Sequence, residues 1–152
     1  MARTLPVLYA CSGCTSAGEL ADHAARELDR AGLAEMASLA GIGAQEPQQL
    51  SRARSRFPVI AVDGCANACA RRCLERSGIE PARHYVLARY GVAKRARAHF
   101  TAQEAERVLQ DNGYARLLAA FAHLSPEWRA ELVQAWSQIG RASCRERVSN
   151  CV

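Results

Sequence analysis

Along the first hundred residues, apolar runs alternate with segments of helical period. Residues 5–10 (L-P-V-L-Y-A) read as a buried strand, with Pro6 tolerable near its start. From Ser16 the pattern becomes helical. Ser16 and Glu19 predict an S-x-x-E capping box, Ala17, Leu20, Ala21, Ala24, Ala25 and Leu28 share one face, and Gly32 supplies the stop. Residues 35–40 predict a short second strand ending in the turn Gly41-Ile42-Gly43, and residues 47–55 a short helix with Pro47 in its first turn. Residues 57–62 are the clearest strand, and their unbroken apolar character suits a parallel sheet covered on both faces. A helix follows to about Ser77, stopped by Gly78, and residues 84–90 (H-Y-V-L-A-R-Y) read as a fourth strand. Beyond Gly91 the pattern is helical. Thr101 and Glu104 predict another capping box, with Val108 and Leu109 on the apolar face and Asn112-Gly113 as the terminator. Further helices are read at residues 114–123 and from Ser125-Pro126 through Trp128, Leu132, Val133 and Trp136.

This alternation predicts an α/β fold: a small, open, mostly parallel four-stranded sheet with flanking helices and right-handed crossovers. The expected domains are residues 1–100 for the sheet and 101–138 for a helical extension packed on it or used in self-association. With strand order 2-1-3-4, the first and third strands are neighbours and the chain leaves them in opposite directions. Their carboxyl ends then flank a topological switch point, the crevice where ligands of open α/β sheets bind.

Composition narrows the class. The 152 residues are 49% hydrophobic and 23% charged, an ordinary globular balance. The N-terminus lacks the apolar core of a signal peptide, and no apolar run is long enough to span a bilayer, so a cytoplasmic location is expected. Seven cysteines in a reducing compartment point to metal or redox chemistry rather than structural disulfides. Lys94 is the only lysine among many arginines, which reflects codon usage in a GC-rich genome. Ile139 to Val148 (I-G-R-A-S-C-R-E-R-V) matches the translation of a common short-read sequencing adapter. Residues 139–152 are therefore set aside as a non-native tail. This removes Cys144, Cys151, three arginines and one glutamate, and lowers the net charge from +5 to +3. The argument for an acidic partner weakens with it.

Five cysteines remain. Cys11 and Cys14 form C-S-G-C directly after the first apolar run, and Cys65, Cys69 and Cys73 recur every four residues after the third, in V-D-G-C-A-N-A-C-A-R-R-C-L. On a helix starting near Cys65 these three make a stripe at the N-terminal end, whose partial positive charge suits anionic ligands. Both groups follow strands expected to be neighbours, so they choose the same crevice as the fold. Thiolates select zinc, Fe–S clusters or copper(I). A zinc site takes four ligands with Zn–S distances of about 2.3 Å. Helical residues four apart are separated by about 6 Å along the axis and those eight apart by about 12 Å, so one ion cannot take both Cys65 and Cys73 if all three are helical. The favoured set is Cys11, Cys14, Cys65 and Cys69, with Cys73 a fifth thiol one turn deeper. The bland reading is that Cys69 and Cys73 complete an apolar stripe with Ala66, Ala70 and Leu74, as buried cysteine often does. For Cys73 the two readings weigh equally. Asp63 and Gly64 belong to the turn, or support a ligand from outside.

Three spaced motifs, L-P-V-L-Y-A-C-S-G-C-T-S-A, the D-G-C segment around Asp63-Gly64-Cys65, and H-Y-V-L-A-R-Y-G-V from His84, resemble the DGC-domain proteins of bacteria and archaea over roughly residues 5–109. The resemblance implies zinc binding through the cysteines and assigns no reaction. Ala66 departs from the proline expected after the motif. Cys65 and Arg71 also fit C-x5-R, but the intervening A-N-A-C-A lacks the glycines of a phosphate loop. The run Lys94 to His99 has no interleaved aromatics and reads as a solvated loop rather than a nucleic-acid surface. His84 is placed at the sheet edge away from the crevice and is not taken as a ligand. His23, His99 and His123 have no assigned role.

The leading expectation is a cytoplasmic zinc-binding protein serving delivery or sensing, with no catalytic residue assigned. Its partners would be the metal ion, a metal-accepting protein or a second copy of the chain. The alternative is a thiol–disulfide or iron–sulfur redox protein using the same cysteines. A third reading is an interaction module in which a metal only pins two loops.

Overall fold

Strand β1, Val7–Ala10, and strand β3, Val59–Asp63, are buried along their whole length and lie side by side at the centre of the sheet. The computed structural model that carries them describes residues 5–55 and 57–110. In chain order the elements are β1, α1 (Ser16–Arg30), β2 (Glu35–Met36), α2 (Leu39–Gly43), α3 (Pro47–Ala53), β3, α4 (Cys69–Arg76), β4 (Arg83–Val86), a 3-10 turn (Leu87–Tyr90) and α5 (Ala102–Gln110). The sheet order is β2-β1-β3-β4 and every pairing is parallel. The α/β fold and the 2-1-3-4 order expected from the sequence are therefore observed.

Continuous apolar runs produce this sheet because helices cover both faces. Parallel pairing requires a crossover at each step, and α1 packs on β1, β2 and β3 while α4 packs on β3. Leu20, Ala21, Ala24, Ala25 and Leu28 form the buried face of α1, and Ala70 and Leu74 that of α4. Each fully buried Leu, Ile or Val contributes roughly 1.5–3 kcal/mol. Gly32 (φ 66°) and Gly78 (φ 70°) follow the ends of α1 and α4 in the left-handed region. There Leu33 N donates to Leu28 O and Ile79 N to Leu74 O, the closing bond of a glycine-stopped helix.

Several boundaries differ from the sequence reading. The second strand has only two residues, because the Ser38 hydroxyl accepts from Gly41 N (3.1 Å) and starts α2; Gly41-Ile42-Gly43 is helix, not turn. The fourth strand ends at Val86 and its last residues coil into the 3-10 turn. The cap of α1 is Thr15, whose Oγ1 accepts from Gly18 N, so the Ser16–Glu19 box does not form. Ser16 is buried; its hydroxyl donates to Ala93 O (2.9 Å) and accepts from Arg95 N (3.0 Å), while Glu19 meets His99 Nδ1 (2.9 Å). Thr15 also bridges to Ala96, so residues 93–99 strap across the start of α1. The cysteine helix begins at Cys69 rather than Cys65.

The chain divides into units of residues 1–100 and 101–152. In the second unit α5 opens with the expected box: Glu104 N donates to Thr101 Oγ1 (3.1 Å) and Thr101 N to Glu104 Oε2 (2.8 Å). The helices read at residues 114–136 and the tail at 139–152 lie outside the described residues. No helix among the described residues is long and apolar enough to cross a membrane.

Candidate functional site

The carboxyl ends of β1 and β3 adjoin, and each hands the chain to a cysteine. Cys11 extends the β1 ladder by one bond, its N–H donating to Val62 O (2.9 Å), and its Sγ accepts from the N–H of Gly64 (3.1 Å). The first thiol is thus bonded to the residue that precedes Cys65. Cys11 is buried, and desolvation pushes its thiol up to about 12. The Gly64 bond opposes that rise, while the charges of Asp63, Cys69 and Cys65 add to it. Cys11, Cys65, Cys69 and Asp63 therefore sit within electrostatic reach of one another. Cys14 is exposed, immediately before the Thr15 cap of α1.

At Gly64 the turn after β3 runs against the backbone at the start of α1. A Cβ built there would overlap the carbonyl of Ala17 and lie 2.7 Å from Gly18 N, so only glycine lets the turn after β3 pass the backbone of α1. Cys65 to Ala68 is a tight turn, with Ala68 N donating to Cys65 O (3.1 Å) and Ala68 itself at φ 51°. Cys65 is therefore not helical, and the limit that kept it and Cys73 from sharing one ion no longer follows from helix rise. Cys69 opens α4 and is exposed; Cys73 is half-buried one turn on. The buried face belongs to Ala70 and Leu74, while Ala66 is exposed, so an apolar stripe through Ala66 and Cys69 is not what packs α4 on the sheet.

Asp63 is wholly buried at the end of β3. Its Oδ1 accepts from Ala70 N (2.8 Å), and its Oδ2 accepts from Arg71 N (3.2 Å) and meets His84 Nε2 at 2.8 Å. The turn aspartate thus satisfies the first turn of α4, whose cap position, Ala68, has no side chain able to do so. His84 is the residue that the sequence reading set aside. The missing signal was register: in the parallel β3–β4 pair Ala61 lies beside His84, so Asp63 is its diagonal neighbour and the ring reaches it.

The donors suit a thiophilic ion in kind, all five thiols being free. Their positions do not close round one: among the described residues, no group of three or more His, Cys, Asp or Glu side chains is arranged to hold a metal ion.

The sequence profile of the family described as "DGC domain" matches residues 7–112. The "Anaerobic and virulence modulator AnvM" of Pseudomonas aeruginosa is 45% identical over 104 residues, which make up 68% of this chain and 79% of that protein. No solved structure matches the chain with significance.

Proposed function

The chain belongs to the DGC-domain family, and from that premise we propose that it is a zinc-binding protein whose thiolate site lies at the carboxyl ends of β1 and β3. The supporting observation is the convergence of two cysteine groups, distant in sequence, at adjacent strand ends, with Cys11 Sγ held by Gly64 N. Cys11, Cys14, Cys65 and Cys69 would hold the ion, with Cys73 as a fifth thiol. A zinc ion supplies no redox chemistry; it draws protons off its thiol ligands and binds the resulting thiolates. This chain's part would be to present a buried thiol, Cys11, and exposed ones, Cys14 and Cys69, just after the adjacent strands β1 and β3. Exposed thiols suit exchange of the ion, hence delivery or sensing, and the name of the relative, a modulator, agrees with sensing. The test is metal analysis of protein purified without oxygen. Near one equivalent of zinc, lost on Cys11→Ser, Cys14→Ser or Cys65→Ser, is the expected result, since a hydroxyl is a far poorer zinc ligand than a thiolate. No zinc in the wild type, or zinc that survives all three changes, overturns the assignment.

A redox role through the same cysteines is the second reading. The exposed, free Cys14 and Cys69 and the word "anaerobic" in the relative's name favour it. A brown protein containing iron and sulfide would select it.

A further inference from the structure

Beside the thiols, the buried carboxylate of Asp63 and the ring of His84 make a contact that the proposed metal site does not use. Asp63 is fully engaged: Oδ1 takes one helix N–H, and Oδ2 takes a second helix N–H and faces the imidazole. At 2.8 Å the contact between Oδ2 and Nε2 of His84 is a hydrogen bond in length. With both oxygens committed and no exposure to solvent, Asp63 has little capacity to turn toward an ion as well.

The first turn of α4 depends on this carboxylate. Ala68, at the cap, offers no side-chain bond and holds a left-handed conformation. Cys69 precedes Ala70, the residue whose N–H takes the shorter bond to Asp63. Without His84, Oδ2 keeps only the longer Arg71 contact, and the partly exposed space of the ring admits water to a buried polar oxygen.

We propose that Asp63 and His84 are a positioning pair. They fix the first turn of α4, and through it the sulfur of Cys69 relative to Cys11 and Cys65, and Asp63 is not a metal ligand. The inference rests on reading these thiols as the functional site, but it is a statement about geometry and can be read without metal.

The test compares the full-length wild type with His84→Phe, which removes the ring nitrogens, and His84→Gln, which restores a polar side-chain nitrogen. One readout is the ratio of iodoacetamide labelling at Cys69 to that at Cys14 in metal-free protein, by mass spectrometry. The other is the thiolate-to-metal absorption on titration with cobalt(II) as the probe. The expected result is a severalfold change in labelling ratio and a roughly 10–100-fold loss of cobalt affinity in His84→Phe, both largely restored in His84→Gln. Wild-type labelling and spectra in His84→Phe would overturn the pairing. Equal loss in both variants would overturn it too, by showing that ring volume is what matters. Should His84→Phe fail to fold, His84→Gln decides: wild-type labelling supports the pair, and a folded protein with an altered ratio overturns it. If the wild type takes no cobalt, the zinc reading falls while the labelling ratio still judges the positioning.

Discussion

At Gly64 there is no room for a methyl group, and the obstruction is backbone on a central helix rather than a side chain that can swing away. Gly64→Ala is expected to lower stability by about 3 kcal/mol, the upper end of overpacking costs. Gly43→Ala, where nothing lies within 4 Å, is expected to be neutral or slightly stabilising. Urea denaturation of both variants checks the pair; equal effects would show that the turn and α1 move apart freely. Cys11 carries a second prediction. Its thiol is raised from 9.0 to about 12 in the folded, metal-free protein. Above pH 9 the unfolded chain gives up this proton while the folded one keeps it. The contribution is therefore complete below pH 9 and is lost as the pH rises toward 12. Tyr9 and Tyr85, whose phenols burial also pushes up, act with the same sign at higher pH. Melting temperatures of metal-free protein are expected to fall from pH 9 upward, and less steeply in Cys11→Ala. Parallel profiles would show that Cys11 is not the titrating group.

Among the elements, α4 and α1 are anchored by contacts that their own sequences do not announce. The cap of α4 is an alanine in the left-handed region, which costs roughly 1–2 kcal/mol for a residue with a Cβ. Ala68→Gly is expected to raise stability by about 1 kcal/mol while leaving Asp63 to satisfy the helix N–H groups. A calorimetric melt that falls would show that Ala68 is not strained. At the start of α1, the Ser16 hydroxyl ties the strap at Ala93 and Arg95. Ser16→Ala deletes both bonds at a buried position and is expected to cost about 1–3 kcal/mol. Amide exchange at residues 93–97 should quicken more than exchange in β1 or β3. Uniform quickening would mean that Ser16 supports the whole unit rather than the strap.

For the molecule as a whole, the openness of the proposed zinc site would separate transfer of an ion from permanent stapling. Cys14 and Cys69 are exposed, and Cys73 stands a turn away from Cys69. Zinc is expected to pass to a chromogenic chelator from the folded protein, and more slowly in Cys73→Ala, which lacks the spare thiol. Retention should also fall steeply below neutral pH, because protons compete for the thiolates. Zinc that resists the chelator until the protein unfolds would favour a structural role instead.

The α/β alternation was legible in apolar runs that alternate with segments of helical period, and the order β2-β1-β3-β4, assumed for an open sheet of that kind, is the one observed. The glycine stops at Gly32 and Gly78 and the Thr101–Glu104 box were equally legible, since each is a local contest settled within a few residues. What the sequence alone could not decide were the interactions that span it. Thr15 rather than Ser16 caps α1 because the strap, some eighty residues on, claims the Ser16 hydroxyl. The helix of cysteines starts four residues late because Asp63 supplies, from the end of a strand, the cap that Ala68 lacks. His84 joined the site only once β3 and β4 fixed their register, for a hydrogen bond across a sheet depends on which residues the pairing sets side by side. Local pattern therefore determined most of the strands and helices, though not all their bounds; packing between them decided which polar groups meet.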